Sequence, residues 1–268
     1  MNWLEALPKN RQRGSFPRCL LLMSGERAMV AERLTRMVGL TDVRVEAEHC
    51  WMPMGLPTLS PNGLWDLTPI EEAKLGEHVG LLPEGQRKEL TDWWITSSEK
   101  ANTPNWDIAS TCIVGGTVGL LLVEAKAHYA ELKKDGKPLA SDATSGSKRN
   151  HEKIGRAVCE ASSELEKAIC GWNLRCDSHY QLANRFAWAW KMASMNVPVL
   201  LVYLGFLNAE EMSDQGEPFV DCADWSRVVL DHSRNIVPEK AWGRELNIGN
   251  AMIEPLIRVW EQELPAST

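Results

Sequence analysis

Two apolar runs joined by Gly115-Gly116 stand at the centre of the chain, residues 107–114 before the glycines and 117–128 after them. Leucine and valine crowd both runs, the pattern of strands covered on both faces. The glycine pair predicts a two-residue hairpin turn that pairs Val114 with Thr117. Upstream, Cys19-Leu-Leu-Leu-Met23 reads as a buried strand. Ser24-Gly25-Glu26 then opens a helix to about Val38, with Met29, Val30, Leu34 and Met37 on one face. Residues 42–48 alternate like a further strand, which makes a β-α-β-like unit. Residues 51–69, with four prolines and two glycines, read as a loop or linker.

Thr68-Pro69-Ile70-Glu71 predicts a helix start, with proline at the first helical position and an acid in the first turn. That helix ends near Gly80, and a second runs over about 84–96 with Leu90, Trp93 and Trp94 inward. After the hairpin, residues 135–150 are rich in Gly, Ser, Lys and Asp and read as a loop. Helices are expected over about 151–169 and 180–194, a buried strand over 197–204, and helices over about 222–234 and 252–264. The expected organisation is an N-terminal accessory region (1–67), a core (68–207) and a C-terminal helical extension (208–268).

Composition changes this picture little. Of 268 residues, 44% are hydrophobic and 24% charged, as in an ordinary globular chain. The net charge of -7 argues against a general basic coat for nucleic acid, though not against a local patch. Seven cysteines without a CxxC pair fit reduced thiols better than disulfides or zinc. The N-terminus lacks a signal-peptide core, and no apolar run is long enough to span a bilayer. The expectation is a cytoplasmic protein with no membrane partner.

Charge inside the hairpin changes the picture a great deal. Glu124 and Lys126 interrupt a strand that should be buried, where unpaired charges cost several kcal/mol. Counting back from Val114–Thr117 sets Asp107 opposite Glu124; a four-residue loop would set it opposite Lys126, on the same face. Alternation puts Glu124, Lys126 and His128 on that face too. Directly opposed side chains have Cβ atoms roughly 5 Å apart, and like charges there repel. Two carboxylates and a lysine so placed suit a hard divalent cation such as Mg²⁺, with Mn²⁺ as a substitute. The plainer reading is a salt bridge closing a strand end, but three charges of one parity in an apolar core favour a site.

A second polar group lies on the helix at 180–194. Gln181, Asn184 and Arg185 share a face of an otherwise apolar helix, which reads either as a solvated stripe or as the border of a cleft. Arg185 could hold a phosphate bidentately and Gln181 could orient a water. His128 is either an acid-base group or a simple strand-end histidine. The run Lys148, Arg149, His151, Lys153, Arg156 is more a solvated helix start than a phosphate rim. Glu71, Glu72, Glu77 and Glu89 are expected on helices, and one of them could complete a metal shell. No P-loop, G-x-S-x-G elbow or HExxH is present.

The order of helix, strand with Asp107, hairpin strand with Glu124-Ala125-Lys126, helix with Gln181 and buried strand resembles the PD-(D/E)xK nuclease superfamily, over about residues 84–207. The resemblance implies a restriction-endonuclease-like fold, a mixed sheet flanked by helices. It implies that Asp107 and Glu124 bind metal together with the Ala125 carbonyl, and that Lys126 is the motif lysine. Gln181 is similar to a glutamine of the exonuclease-like branches; where those carry a tyrosine four residues on, this chain has Arg185. Pro104 lies three residues before Asp107. The implied activity is Mg²⁺-dependent phosphodiester hydrolysis, on DNA more readily than RNA, with a homodimer expected by analogy. The competing expectations are a catalytically inactive or partner-dependent binding module of the same fold, and a phosphoesterase acting on a small nucleotide.

Overall fold

In the computed structural model, which describes residues 2–96 and 103–265, the hairpin has the predicted register. Val114 pairs with Thr117 and the ladder runs back to Ile108 against Val123. Gly115 and Gly116 sit at φ of 55° and 84°, the positive values a two-residue turn of this hand requires. These strands are β5 (Ile108–Val114) and β6 (Thr117–Lys126). Before them come α1 (Ser15–Leu22), α2 (Arg27–Val38), β1 (Val43–Arg44), β2 (Trp51–Met52), the small hairpin β3 (Thr58–Leu59) and β4 (Trp65–Asp66), and α3 (Glu84–Trp94). After them come α4 (Ser145–Ala168), α5 (Tyr180–Ser194), β7 (Val199–Leu207), α6 (Cys222–Ser233), β8 (Leu246–Ile248) and β9 (Ala251–Glu261).

The main sheet is mixed, in the order β1-β5-β6-β7-β9-β8, with β2 also paired to β5. β5 and β6 are antiparallel, whereas β6, β7 and β9 run parallel. The parallel step from β6 to β7 needs a long crossover, and α4 and α5 supply it. Both faces of the sheet are covered, as the apolar runs predicted. Leu120, Leu122, Val199 and Leu201 meet α3, α4, α5 and α6 on one side. Leu121, Val123, Leu200 and Val202 meet α1 and α2 on the other. The protein is therefore of mixed α/β class, a mixed sheet flanked by helices.

Several expected elements differ. Cys19–Met23 is not a strand: Cys19, Leu20 and Leu22 belong to α1, so the N-terminal unit is two helices and a short strand rather than β-α-β. Met29 lies outside the buried face of α2 and is exposed. The expected strand at 42–48 shrinks to β1. The helix expected from Thr68 to Gly80 is a single 3-10 turn, Thr68–Ile70, followed by irregular chain, so Glu71, Glu72 and Glu77 are not helical. α4 begins six residues before the expected start, capped by Thr144, whose side chain accepts the Ser147 N–H. The expected final helix over 252–264 is β9, an eleven-residue strand paired with β7. The region 208–268 thus carries the helix α6 and then extends the sheet through β8 and β9 instead of forming a helical extension, and β1 and β2 join it from the other side of the 1–67 boundary. Residues 1 and 266–268, at the outer ends of the expected terminal regions, lie outside the described residues.

Candidate active site

The ladder between β5 and β6 stops at Ile108–Val123, and one further step in the same register sets Asp107 against Glu124. Here a side chain replaces the strand. Asp107 Oδ2 accepts the Ala125 N–H at 2.7 Å, and two residues on, Glu131 Oε2 accepts the Ala127 N–H at 2.6 Å. A strand residue sends its N–H and C=O to the same edge, so the Ala125 carbonyl also points toward Asp107, beyond the last pairing of β5. Two carboxylates and a carbonyl therefore flank one short stretch of strand edge.

Glu124 is 1% exposed, Lys126 7% and Arg185 6%. Lys126 Nζ donates to Glu124 Oε1 at 2.5 Å, and Arg185 Nε donates to Oε2 at 2.5 Å. Arg185 is held in turn by Asn184, whose Oδ1 accepts from Nη1 at 3.0 Å, and by Trp106, whose ring centroid lies 4.6 Å from the guanidinium carbon. Burial alone would raise the Glu124 carboxyl, but the Arg185 and Lys126 charges outweigh it and hold the group below its ordinary range. Burial would lower both cations, yet Glu124 and then Asp107 keep each of them raised. Asp107 goes the other way: burial first, then the Glu124 charge, push it up, and Lys126 only partly offsets them.

A cavity of about 820 Å³ opens over this group, lined by Asp107, Glu124, Ala125, Lys126, Gln181, Asn184 and Arg185. The structure thus brings together every predicted residue of the two polar groups except His128, and of the upstream acids Glu71, Glu72, Glu77 and Glu89 only Glu72 lines this cavity. That histidine is buried behind the cavity, its Nε2 3.7 Å from Glu131 Oε1 and its Nδ1 without a hydrogen-bond partner. Asn184 serves Arg185 rather than standing free for substrate, and Arg185 rests on Glu124 rather than reaching into the cavity. Gln181 lines the cavity one helical turn before Arg185.

Sequence reasoning missed three contributors. Glu131 lies on a 3-10 turn past the strand end and also lines the cavity. Trp106 was hidden among the twelve tryptophans, although its place beside Asp107 puts it next to the site. Tyr203 on β7 lies beside Glu124 in register, fully buried, with its hydroxyl unpartnered; burial, then the Glu124 charge, raise it well above the ordinary phenol range. Glu72, one of the upstream acids considered, reaches the cavity wall from irregular chain, where its Oε2 accepts from Asn105 at 2.9 Å.

Among the described residues no three His, Cys, Asp or Glu side chains form a metal cage by themselves. Mg²⁺ needs no such cage, because it takes one or two carboxylates and keeps its waters. The donors here are hard oxygens: Asp107, Glu124 and the Ala125 carbonyl. Asp107 is raised by burial beside a second carboxylate, a state that a bound cation would relieve. By type these oxygens suit the ion, and both oxygens of Glu124 are held by Lys126 and Arg185. No protein-family model, curated protein or solved structure matches this chain.

Proposed function

We propose that this chain is a Mg²⁺-dependent phosphodiester hydrolase of restriction-endonuclease-like fold, acting on DNA. The observation that carries the reading is the set of half-buried Asp107 with buried Glu124 and Lys126, assembled by hairpin register on the floor of one cavity. Asp107, Glu124 and the Ala125 carbonyl would hold Mg²⁺, which when bound polarises the scissile phosphate and lowers the pKa of its water. Lys126 keeps its proton, so it serves as a fixed positive charge that orients a water or stabilises charge on the phosphate oxygens. Gln181, which lines the cavity, would orient a water or a phosphate oxygen. Glu131 braces the end of β6 through the Ala127 amide and so fixes where Lys126 stands.

One observation favours the second reading, a catalytically silent module of the same fold: both Glu124 oxygens are already engaged by protein cations. Incubation with plasmid, linear duplex, single-stranded DNA and RNA in Mg²⁺ or Mn²⁺ separates the two. The hydrolase cleaves DNA, and Asp107→Asn and Lys126→Ala each lower the rate on the order of a hundredfold or more. No cleavage of any substrate, or equal cleavage by the variants, rejects it.

A further inference from the structure

Arg185 is the feature that the proposed chemistry leaves unused. It is buried and pinned on three sides, by the Glu124 carboxylate, the Asn184 amide oxygen and the Trp106 ring. With Lys126 on Oε1 and Arg185 on Oε2, Glu124 has no oxygen free of a protein cation. A divalent cation bound to that carboxylate would press against the guanidinium, and like charges at contact distance in a buried site repel strongly. Arg185 cannot simply leave, because Oε2 of the buried carboxylate would then lose its partner, with Lys126 left on Oε1 alone. It can leave as another cation arrives.

Resting on the hydrolase reading, we propose that Arg185 is a resident cation that locks Glu124, and that a phosphate chain in the cavity draws it off and so opens the metal site. The side chain borders the cavity and lies on the same helix as Gln181. The guanidinium gives Glu124 one bond, through Nε, and a phosphate with its paired oxygens offers it two. Asn184 and Trp106 hold the guanidinium itself, so the turn exchanges these contacts, too, for phosphate oxygens. Polyanion and divalent cation then bind with positive coupling, and the coupling is reciprocal: each tightens the other by the same factor. Arg185 acts here as a positioning residue that makes metal loading conditional on substrate. The protein alone is kept from loading and acting without its nucleic acid.

The experiment is Mn²⁺ titration followed by electron paramagnetic resonance, with and without a short phosphorothioate DNA duplex. Wild-type protein binds Mn²⁺ weakly by itself and about tenfold or more tightly with the duplex. Arg185→Gln binds Mn²⁺ more tightly than wild type in the absence of DNA, and the duplex adds little. Arg185→Lys keeps the charge without the fork and falls between the two; circular dichroism checks that each variant is folded. Should Arg185→Gln not fold, Arg185→Lys carries the comparison, and the wild-type titration can still overturn the lock. Equal Mn²⁺ affinity with and without DNA overturns the lock while leaving the metal site standing. No Mn²⁺ bound under any condition, with Asp107→Asn indistinguishable from wild type, overturns the hydrolase reading itself.

Discussion

The two ends of the β5–β6 hairpin are built on opposite principles. At the turn, backbone conformation does everything: Gly115 and Gly116 take positive φ, no atom lies within 4 Å of where their side chains would be, and Val118 stands 62% exposed. At the open end, side chains take over from the backbone. Asp107 and Glu131 accept the amides that a longer β5 would have bonded, and Glu124, Lys126 and Arg185 meet in one buried ion-paired group beside them. The first end sets register and tolerates change; the second depends on that register and tolerates little. A one-residue slip at the glycines would turn Asp107 to the face packed on α1 and α2, where Ile108 now lies. The site is thus specified by two glycines seven or more residues away from it.

The contrast can be tested by substitution. Glu124→Leu removes the shared partner of two buried cations, and unfolding in urea should show a loss of about 3–5 kcal/mol. Val118→Thr at the exposed end should stay within about 0.5 kcal/mol. Comparable losses at the two ends would erase the distinction.

The charge at the open end also reaches α6. His232 is buried, its ring centroid 4.9 Å from that of His179, and its pKa is lowered from 6.5 to about 4 by burial first, then by His179, Lys134 and Lys126. Above pH 6.5 the imidazole is neutral in both folded and unfolded chains. As the pH falls toward 4, the unfolded chain takes up a proton that the folded one refuses, and stability drops by roughly 3 kcal/mol. His232→Gln should remove that part of the profile; an unchanged difference between pH 7 and pH 4.5 would count against it.

A small effect is also expected at the turn itself. Gly116→Ala meets no atom but is strained at φ 84°, so chemical denaturation should register a loss of about 1 kcal/mol, with the proposed DNA cleavage unchanged. A cleavage defect would mean that the turn holds the site more tightly than the ladder implies.

The hairpin and α5 were legible because their signals are local. Two glycines determine a register, and Tyr180–Ser194 has the bounds expected of it because a polar stripe on an apolar helix leaves one periodicity to choose. Cys19–Leu22 misled because a short apolar run looks alike as buried strand or buried helix. β9 misled for a tertiary reason: its sequence admits a helical reading, and only pairing along the whole of β7 decides otherwise. Pro255 fits within it because β8 pairs only with residues 251–253, so no ladder bond to β8 is sought at 255. Within the site, the charges were readable from parity. Glu131 was not, because a carboxylate that bonds an amide across a turn leaves no periodic trace. Nor was the Arg185–Glu124 pair, whose partners stand sixty-one residues apart and meet only after the crossover is folded.

The carboxylates at the end of β6 also decide what that edge can receive. An unpaired strand edge ordinarily offers alternating donors and acceptors, which is what an invading peptide strand needs. Here the amides of Ala125 and Ala127 are already bonded, and oxygen is what remains. The edge has been turned from a template for another polypeptide into a surface of acceptors only, closed to strand exchange and aggregation and open to whatever brings positive charge or hydrogen-bond donors.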